Sequence, residues 1–273
     1  MKLFKMVFNF YISSSIHVAL AVFALLRITE IYFNLPFNKN LNFFVFFGTI
    51  TGYNFIKYSG VAKLHHKSLT DGLRFIQLFS FLSFVAFCYF AYLIPIKTLL
   101  YAIPFCFLTL LYAIPFLDKF EKNLRQIGYL KIIIVALVWA AFSVFLPLID
   151  AGVAFSSKEI LFFLQRFLIV IVLVLPFDIR DLQYDEISLK TIPKKFGIKQ
   201  TKKIGVILMI ITLIIEYLIQ DSNLTKTPFM LFFFIVLIFL MRAEKEQSKF
   251  YSSFWVEAIP VFWWLFILGF TNF

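Results

Sequence analysis

Three aspartates follow one another at helical spacing late in the chain. Asp178, Asp181 and Asp185 occupy positions i, i+3 and i+7, which places their carboxylates on one face of a helix. They come directly after the apolar run 162–175. Carboxylates at the end of a membrane helix repel one another, and hard carboxylate oxygens suit Mg²⁺ that carries a diphosphate. The alternative is a solvated helix end that Arg180 and the following lysines balance.

A basic segment follows the aspartates. Pro193 and Gly197 end any helix that begins at Asp178, so we expect the helix to leave the membrane, turn and return into the next span. Three lysines would then overhang the carboxylates: Lys190, Lys194 and Lys195. Such cations suit a substrate with several negative charges. The alternative is that these lysines only hold the loop in the cytoplasm.

The elements that must position these residues are membrane helices. The chain is 62% hydrophobic and 15% charged, and it contains 40 phenylalanines among 273 residues. Nine apolar segments are candidate spans: 13–33, 41–56, 74–95, 98–117, 130–149, 160–177, 204–220, 227–241 and 255–271. We therefore expect an all-α polytopic membrane protein, with nine transmembrane helices around a central cavity in a single domain over residues 1–273.

The net charge of +11 is distributed unevenly between the two sets of alternate loops. Of the 26 basic residues, only six fall on the second side: Arg27, Lys39, Lys97, Lys158, Arg166 and Lys226. This asymmetry predicts a cytoplasmic N terminus in an inner or plasma membrane. It also explains the positive charge without nucleic acid, which we do not expect as a partner.

Two long cytoplasmic loops suggest an internal repeat. The loop 57–73 follows the second span and the loop 178–203 follows the sixth, so each follows the second helix of a four-helix set. We predict two related halves, spans 1–4 and spans 5–8, with the ninth helix extra. Each half would present its loop to a shared cytoplasmic cavity.

The acidic segment resembles the second aspartate-rich motif of UbiA-type intramembrane prenyltransferases. Asp178-Ile179-Arg180-Asp181 with Asp185 is similar to its D-x-R-D-x-x-x-D pattern, and Lys190-Thr191-Ile192-Pro193 with Gly197 resembles the segment that follows it. Weaker similarities are found at residues 15–26, at residues 111–115 with Lys119, and at residues 128–131 leading to Trp139. The resemblance extends over nearly the whole chain, but only the second motif is specific.

The resemblance implies a reaction class. Members of this family bind a polyprenyl diphosphate through Mg²⁺ held by two aspartate-rich motifs, and an acceptor captures the allylic cation left in an apolar tunnel. The metal stabilises the leaving group, and a dry aromatic cavity protects the cation from water. Asp178, Asp181 and Asp185 are then the predicted catalytic and metal-binding residues. The predicted substrate-binding residues are Asn54, Lys57, Tyr112, Lys119, Arg180 and Lys190.

The chain departs from the family at the first aspartate-rich motif, N-D-x-x-D, which should follow the second span. Asn54 matches, but Phe55 and Tyr58 stand where the carboxylates belong, and Lys57 adds a positive charge between them. One hypothesis is an active prenyltransferase in which Lys57 replaces a metal ion and contacts the diphosphate directly.

Two other hypotheses remain open. In a non-catalytic relative that binds lipid or serves as an assembly subunit, Lys57 would pair with Asp178 or Asp181 across the cavity. In a cation channel or transporter the acids would bind the transported ion, but no span is interrupted by paired Gly and Pro, and we identify no acid at mid-membrane depth. In each case we expect Arg180 to leave the acidic cluster sideways. Protein partners are not indicated by the sequence.

Overall fold

The computed structural model describes residues 2–62, 71–113, 128–183, 191–219 and 223–271, and helices dominate all five segments. The first half contains α1 (Lys2–Ser13), α2 (Ile16–Tyr32), α3 (Lys39–Ala62), α4 (Asp71–Leu93) and α5 (Ile96–Ala113). The second half contains α6 (Gly128–Ala140), a π-helical turn (Ala141–Phe145), α7 (Leu146–Asp150), α8 (Ser157–Asp181), α9 (Ile192–Ile219), α10 (Asn223–Arg242), a second π-helical turn (Tyr251–Val256) and α11 (Glu257–Thr271). The predicted all-α membrane fold is confirmed.

Six helical segments in the described ranges are long and apolar enough to cross a membrane: Gly72–Leu93, Ile96–Ala113, Gly128–Asp150, Ser157–Asp181, Leu224–Arg242 and Tyr251–Phe270. Helices α1 and α2 meet at 59° and together provide a seventh if they form one broken span. Each of the nine predicted segments lies largely in a helix, but α3 and α9 are outside this set because they carry more polar and charged residues. The number of nine spans is therefore not confirmed.

Helix α8 carries the acidic motif, and its two ends are fixed by local chemistry. At its start, Ser156 and Glu159 form a reciprocal capping box, which satisfies free backbone N–H groups. Near its end, Pro176 interrupts the apolar run, and the Gln247 side chain donates a 2.9 Å hydrogen bond to the Pro176 carbonyl. The loop before α11 thus holds the last turns of α8 in place.

Helix α9 contains the last two lysines of the basic segment and returns the chain to the bundle. It starts at Ile192, and Gly197 interrupts it with a φ of +79°, a conformation that a residue with a side chain rarely adopts. The sequence correctly placed Pro193 and Gly197 at the boundary of this helix. Farther along, a Cβ at Gly205 would lie 2.5 Å from Leu240, so the glycine allows α9 to pack closely against α10.

A buried polar cluster lies among α2, α8, α9 and α11. Glu216 is fully buried and accepts 2.8 Å hydrogen bonds from Tyr32 Oη and from Gln165 Nε2. Arg166 is fully buried as well, and its guanidinium stacks 4.6 Å from the ring centroid of Trp263. Ionisable groups buried in a membrane protein are costly unless they interact with each other. Glu216 lies in the last turn of α9, so the expectation that no acid lies at mid-membrane depth stays a prediction.

Candidate functional site

A cavity of about 580 Å³ is lined by residues of α1 to α6, of α8, of the two π-helical turns and of the start of α11. Its body is lined mainly by aliphatic and aromatic side chains, among them Val22, Val45, Phe87, Trp139, Phe142 and Val170. This volume falls within the range of about 300–1,000 Å³ that is usual for small-molecule sites. The lining suits an apolar ligand of that size.

One end of the cavity is charged. Five ionisable side chains line it there, and we call them the charged end: Lys57, Lys131, Arg180, Asp181 and Glu257. Helices α3 and α8 both finish beside this end, as the positions of the two long loops predicted. The polar contacts of a ligand would therefore be concentrated at one end and its apolar part would occupy the other.

The acids of α8 are paired with cations of the chain itself. Asp178 is fully buried, and Lys131 Nζ lies 3.0 Å from its Oδ1 and 3.8 Å from Oδ2 of Asp181. Arg180 contacts the other oxygen of Asp181, with Nη2 at 2.8 Å and Nε at 2.9 Å from Oδ1. The expectation that Arg180 leaves the cluster sideways was wrong.

The described donors do not fit a magnesium site. Among these residues, no group of three or more His, Cys, Asp or Glu side chains could hold a metal ion, and Asp185 lies outside the described ranges. The Lys131 ammonium already lies between the carboxylates of Asp178 and Asp181. A divalent cation would have to displace this ammonium before it could reach both acids.

Lys57 contacts the end of α1 rather than the acids of α8. Its Nζ lies 3.4 Å from the carbonyl oxygen of Ile12, 3.5 Å from that of Ser13, and 3.3 Å from Ser15 Oγ. The last carbonyls of a helix lack partners within the helix, and an ammonium is well suited to them. Within the described part of the chain, Lys57 makes no ion pair with Asp178 or Asp181. The pairing that the non-catalytic hypothesis predicted for Lys57 is therefore not seen between these residues.

Asn54 has a structural role beside Lys57. Its Nδ2 donates to the Ser14 carbonyl at 3.0 Å and to Ser80 Oγ at 2.8 Å, and it is buried. The hydroxyl of Tyr58 donates to the Ser13 carbonyl at 2.9 Å. The residues at the position of the missing aspartate motif thus bind the free carbonyls at the break between α1 and α2.

We expect Asn54→Ala to lower the free energy of unfolding by about 1 kcal/mol, because it removes two buried hydrogen bonds. Denaturation of the reconstituted protein in SDS measures this change. Asn40→Ala on the same helix is the control, since the Asn40 side chain makes no hydrogen bond to any described residue. Equal stability of the two variants would contradict the structural role of Asn54.

The other predicted substrate-binding residues divide into two groups. Tyr112 is buried and lines the cavity, near Tyr53, whose hydroxyl accepts a 2.8 Å hydrogen bond from Trp139 Nε1. Three predicted site residues lie outside the described ranges: Lys119, Asp185 and Lys190. Their assignments stay predictions.

Two residues at the charged end were not predicted as site residues. Lys131 lies within the very apolar helix α6, and Glu257 is the first residue of α11, directly after a π-helical turn. Glu257 interacts electrostatically with Lys57 and Arg180. The sequence signal for both was the same: an isolated charge within four residues of the start of an apolar helix.

Comparison with known proteins gives one informative result. No protein-family model and no curated protein sequence matches the chain. A solved structure of digeranylgeranylglyceryl phosphate synthase in membranes is similar, with a TM-score of 0.59 and 16% sequence identity. The alignment covers 98% of this chain and 100% of that one. The chain therefore has a UbiA-like fold from end to end.

Proposed function

We propose that the protein is a UbiA-like membrane prenyltransferase, which transfers a polyprenyl group from its diphosphate to an acceptor. The observation that carries this proposal is the cavity: an apolar, aromatic chamber of about 580 Å³ whose charged end presents Lys57, Lys131 and Arg180. A prenyl chain and an anionic head group have this same division into apolar and charged parts. The UbiA-like fold supports the same conclusion.

The apolar and the charged residues of the cavity have different roles in such a reaction. The aliphatic and aromatic lining holds the prenyl chain and excludes water from the allylic cation. The three cations receive the diphosphate as its C–O bond breaks and it leaves with the bonding electron pair. The acceptor then forms a bond to the allylic carbon and loses a proton. Because the described donors do not fit Mg²⁺, we assign it no step.

The proposed location follows from the distribution of basic residues along the chain. We place the protein within an inner or plasma membrane, with its N terminus and the charged end on the cytoplasmic side, as the distribution of basic residues predicts. The proposed ligand is a polyprenyl diphosphate or another lipid with an anionic head group.

A second candidate is a lipid-binding or assembly subunit without catalysis. The observation that favours it is the ion pairing of Lys131 with Asp178 and Asp181. This lysine neutralises the acids without a metal ion, so the fold can be stable even if the site has no catalytic role. The two candidates share the bound lipid and differ in turnover. No contact in the described residues favours the channel hypothesis.

Binding of the ligand within the cavity can be tested with one variant in the cavity wall. Gly52 lines the cavity, and a Cβ there would lie 3.5 Å from Thr109 Cγ2, so the backbone accepts a side chain. We expect Gly52→Phe to fill the chamber and weaken binding of geranylgeranyl diphosphate in nanodiscs about ten-fold or more. Gly269→Phe, at an exposed position of α11 with nothing within 4 Å, is the matched control.

Diphosphate release in the presence of a membrane lipid extract then decides between the two candidates. Wild-type binding with release supports the transferase. Saturable binding without release supports the lipid-binding subunit. If the wild-type protein binds no prenyl diphosphate of any tested chain length, the transferase is rejected. If it also binds no other lipid with an anionic head group, the lipid-binding subunit is rejected as well.

A further inference from the structure

Asp178 and Asp181 both contact one positive group, and that group is the side-chain ammonium of Lys131. One ammonium lies 3.0 Å from a carboxylate oxygen of Asp178 and 3.8 Å from one of Asp181. The remaining oxygen of Asp181 is held by Arg180 at 2.8 Å. Three of the four carboxylate oxygens therefore face a fixed positive group.

Among the described residues, the charges of this cluster are balanced. Lys131 and Arg180 provide one positive charge for each of the acids Asp178 and Asp181, so a divalent cation would bring two further positive charges to these four side chains. Lys131 is also well shielded, with 15% of its side chain exposed, and Asp178 is fully buried. Ion pairs in such surroundings are screened little by water and salt.

We infer that Lys131 takes the place of the divalent cation between Asp178 and Asp181, so that the charged end binds a phosphate-bearing lipid head group without a metal ion. The identity of the head group rests on the proposed function, but the exclusion of the metal does not. Lys131 holds the two carboxylates in place, and because it also lines the cavity, it can bind the ligand directly.

The donors needed for this role are present. An ammonium has three N–H groups and a guanidinium has five. Lys131 directs two contacts at carboxylates, and Arg180 uses Nε and Nη2 on Asp181, so both side chains retain donors for phosphate oxygens. Lys57 adds a third cation at the same end of the cavity.

The first test needs no variant. Mn²⁺ is titrated into the ligand-free wild-type protein in nanodiscs and followed by electron paramagnetic resonance. We expect no saturable Mn²⁺ site within the membrane domain. A tight site that disappears in Asp178→Asn would overturn the inference, whether or not the protein binds a prenyl diphosphate.

The second test uses the lysine itself. Lys131→Met removes the ammonium from between the two carboxylates, so we expect it to gain a Mn²⁺ site that the wild type lacks. Lys131→Arg keeps the positive charge and should gain none, and it remains informative if Lys131→Met does not fold. A Mn²⁺ site that appears equally in Lys131→Arg would count against the inference.

The third test measures the head group. Binding of a non-hydrolysable geranylgeranyl thio-diphosphate to the wild type is compared in EDTA and in Mg²⁺, and the two dissociation constants should agree within roughly two-fold. Binding that requires Mg²⁺ overturns the inference and leaves the proposed function standing. Absence of binding in both solutions rejects the proposed function, and the Mn²⁺ titrations then decide the inference alone.

Discussion

Lys131→Met should lower the free energy of unfolding by about 3–5 kcal/mol, because it leaves the fully buried Asp178 carboxylate without its ammonium 3.0 Å away. The double variant Lys131→Met/Asp178→Leu should recover most of this loss, since a buried ion pair replaced by apolar groups of similar size is often neutral. Unfolding of the reconstituted protein in SDS, or by steric trapping, measures both values.

The control for this experiment is Lys199→Met, an exposed lysine near the start of α9. It should change stability by about 0.5 kcal/mol or less. Millimolar Mg²⁺ should restore part of the stability of Lys131→Met but should not affect the wild type, because only the variant lacks the ammonium between the two carboxylates. A single variant as stable as Lys199→Met would show that the ion pair contributes little.

Glu216→Leu is expected to have an effect of similar size at the other polar cluster, about 3–5 kcal/mol. The change removes the acceptor of two 2.8 Å hydrogen bonds, from Tyr32 and Gln165. It also removes the negative charge that interacts with the fully buried Arg166. Thermal or SDS unfolding of the variant measures the loss.

Two further variants identify the cause of that loss. Glu246→Leu removes an exposed glutamate from the loop between α10 and α11, and it should leave stability nearly unchanged. Arg166→Met/Glu216→Leu should recover part of the loss, because no uncompensated charge remains, while Tyr32 and Gln165 still lack their acceptor. If the double variant is less stable than the single one, the interaction between Arg166 and Glu216 is not what stabilises the cluster.

The positions of most helices could be predicted from the sequence, because continuous apolar runs bounded by charges mark them, but α1 was not among the predicted segments. The break between α1 and α2 could not, since it depends on Ser15 adopting a φ of +62° while α3 caps the free carbonyls. A local sequence pattern cannot predict a contact between residues that are forty positions apart.

The pairing at the site shows the same limit. The motif comparison placed the cation opposite the acids at Lys57, because that residue stands within the missing aspartate motif. In the structure Lys131 occupies that role and Lys57 contacts α1. Residue types and spacing identified Asp178 and Asp181, but the choice between two lysines depended on where α6 packs against α8.

The peripheral position of α4 and α5 has a consequence for how the sequence can change over time. Only 11% of the membrane segment of α4 and 22% of that of α5 is buried in the bundle. Lipid chains accept leucine, isoleucine and phenylalanine alike, so substitutions among them at the lipid-facing positions of these helices alter no packed interface, whereas Phe87 and Thr109 on the inner faces line the cavity. We expect such lipid-facing positions to differ most between distant relatives while the bundle keeps its shape. A chain can then retain a UbiA-like fold over its whole length at 16% identity.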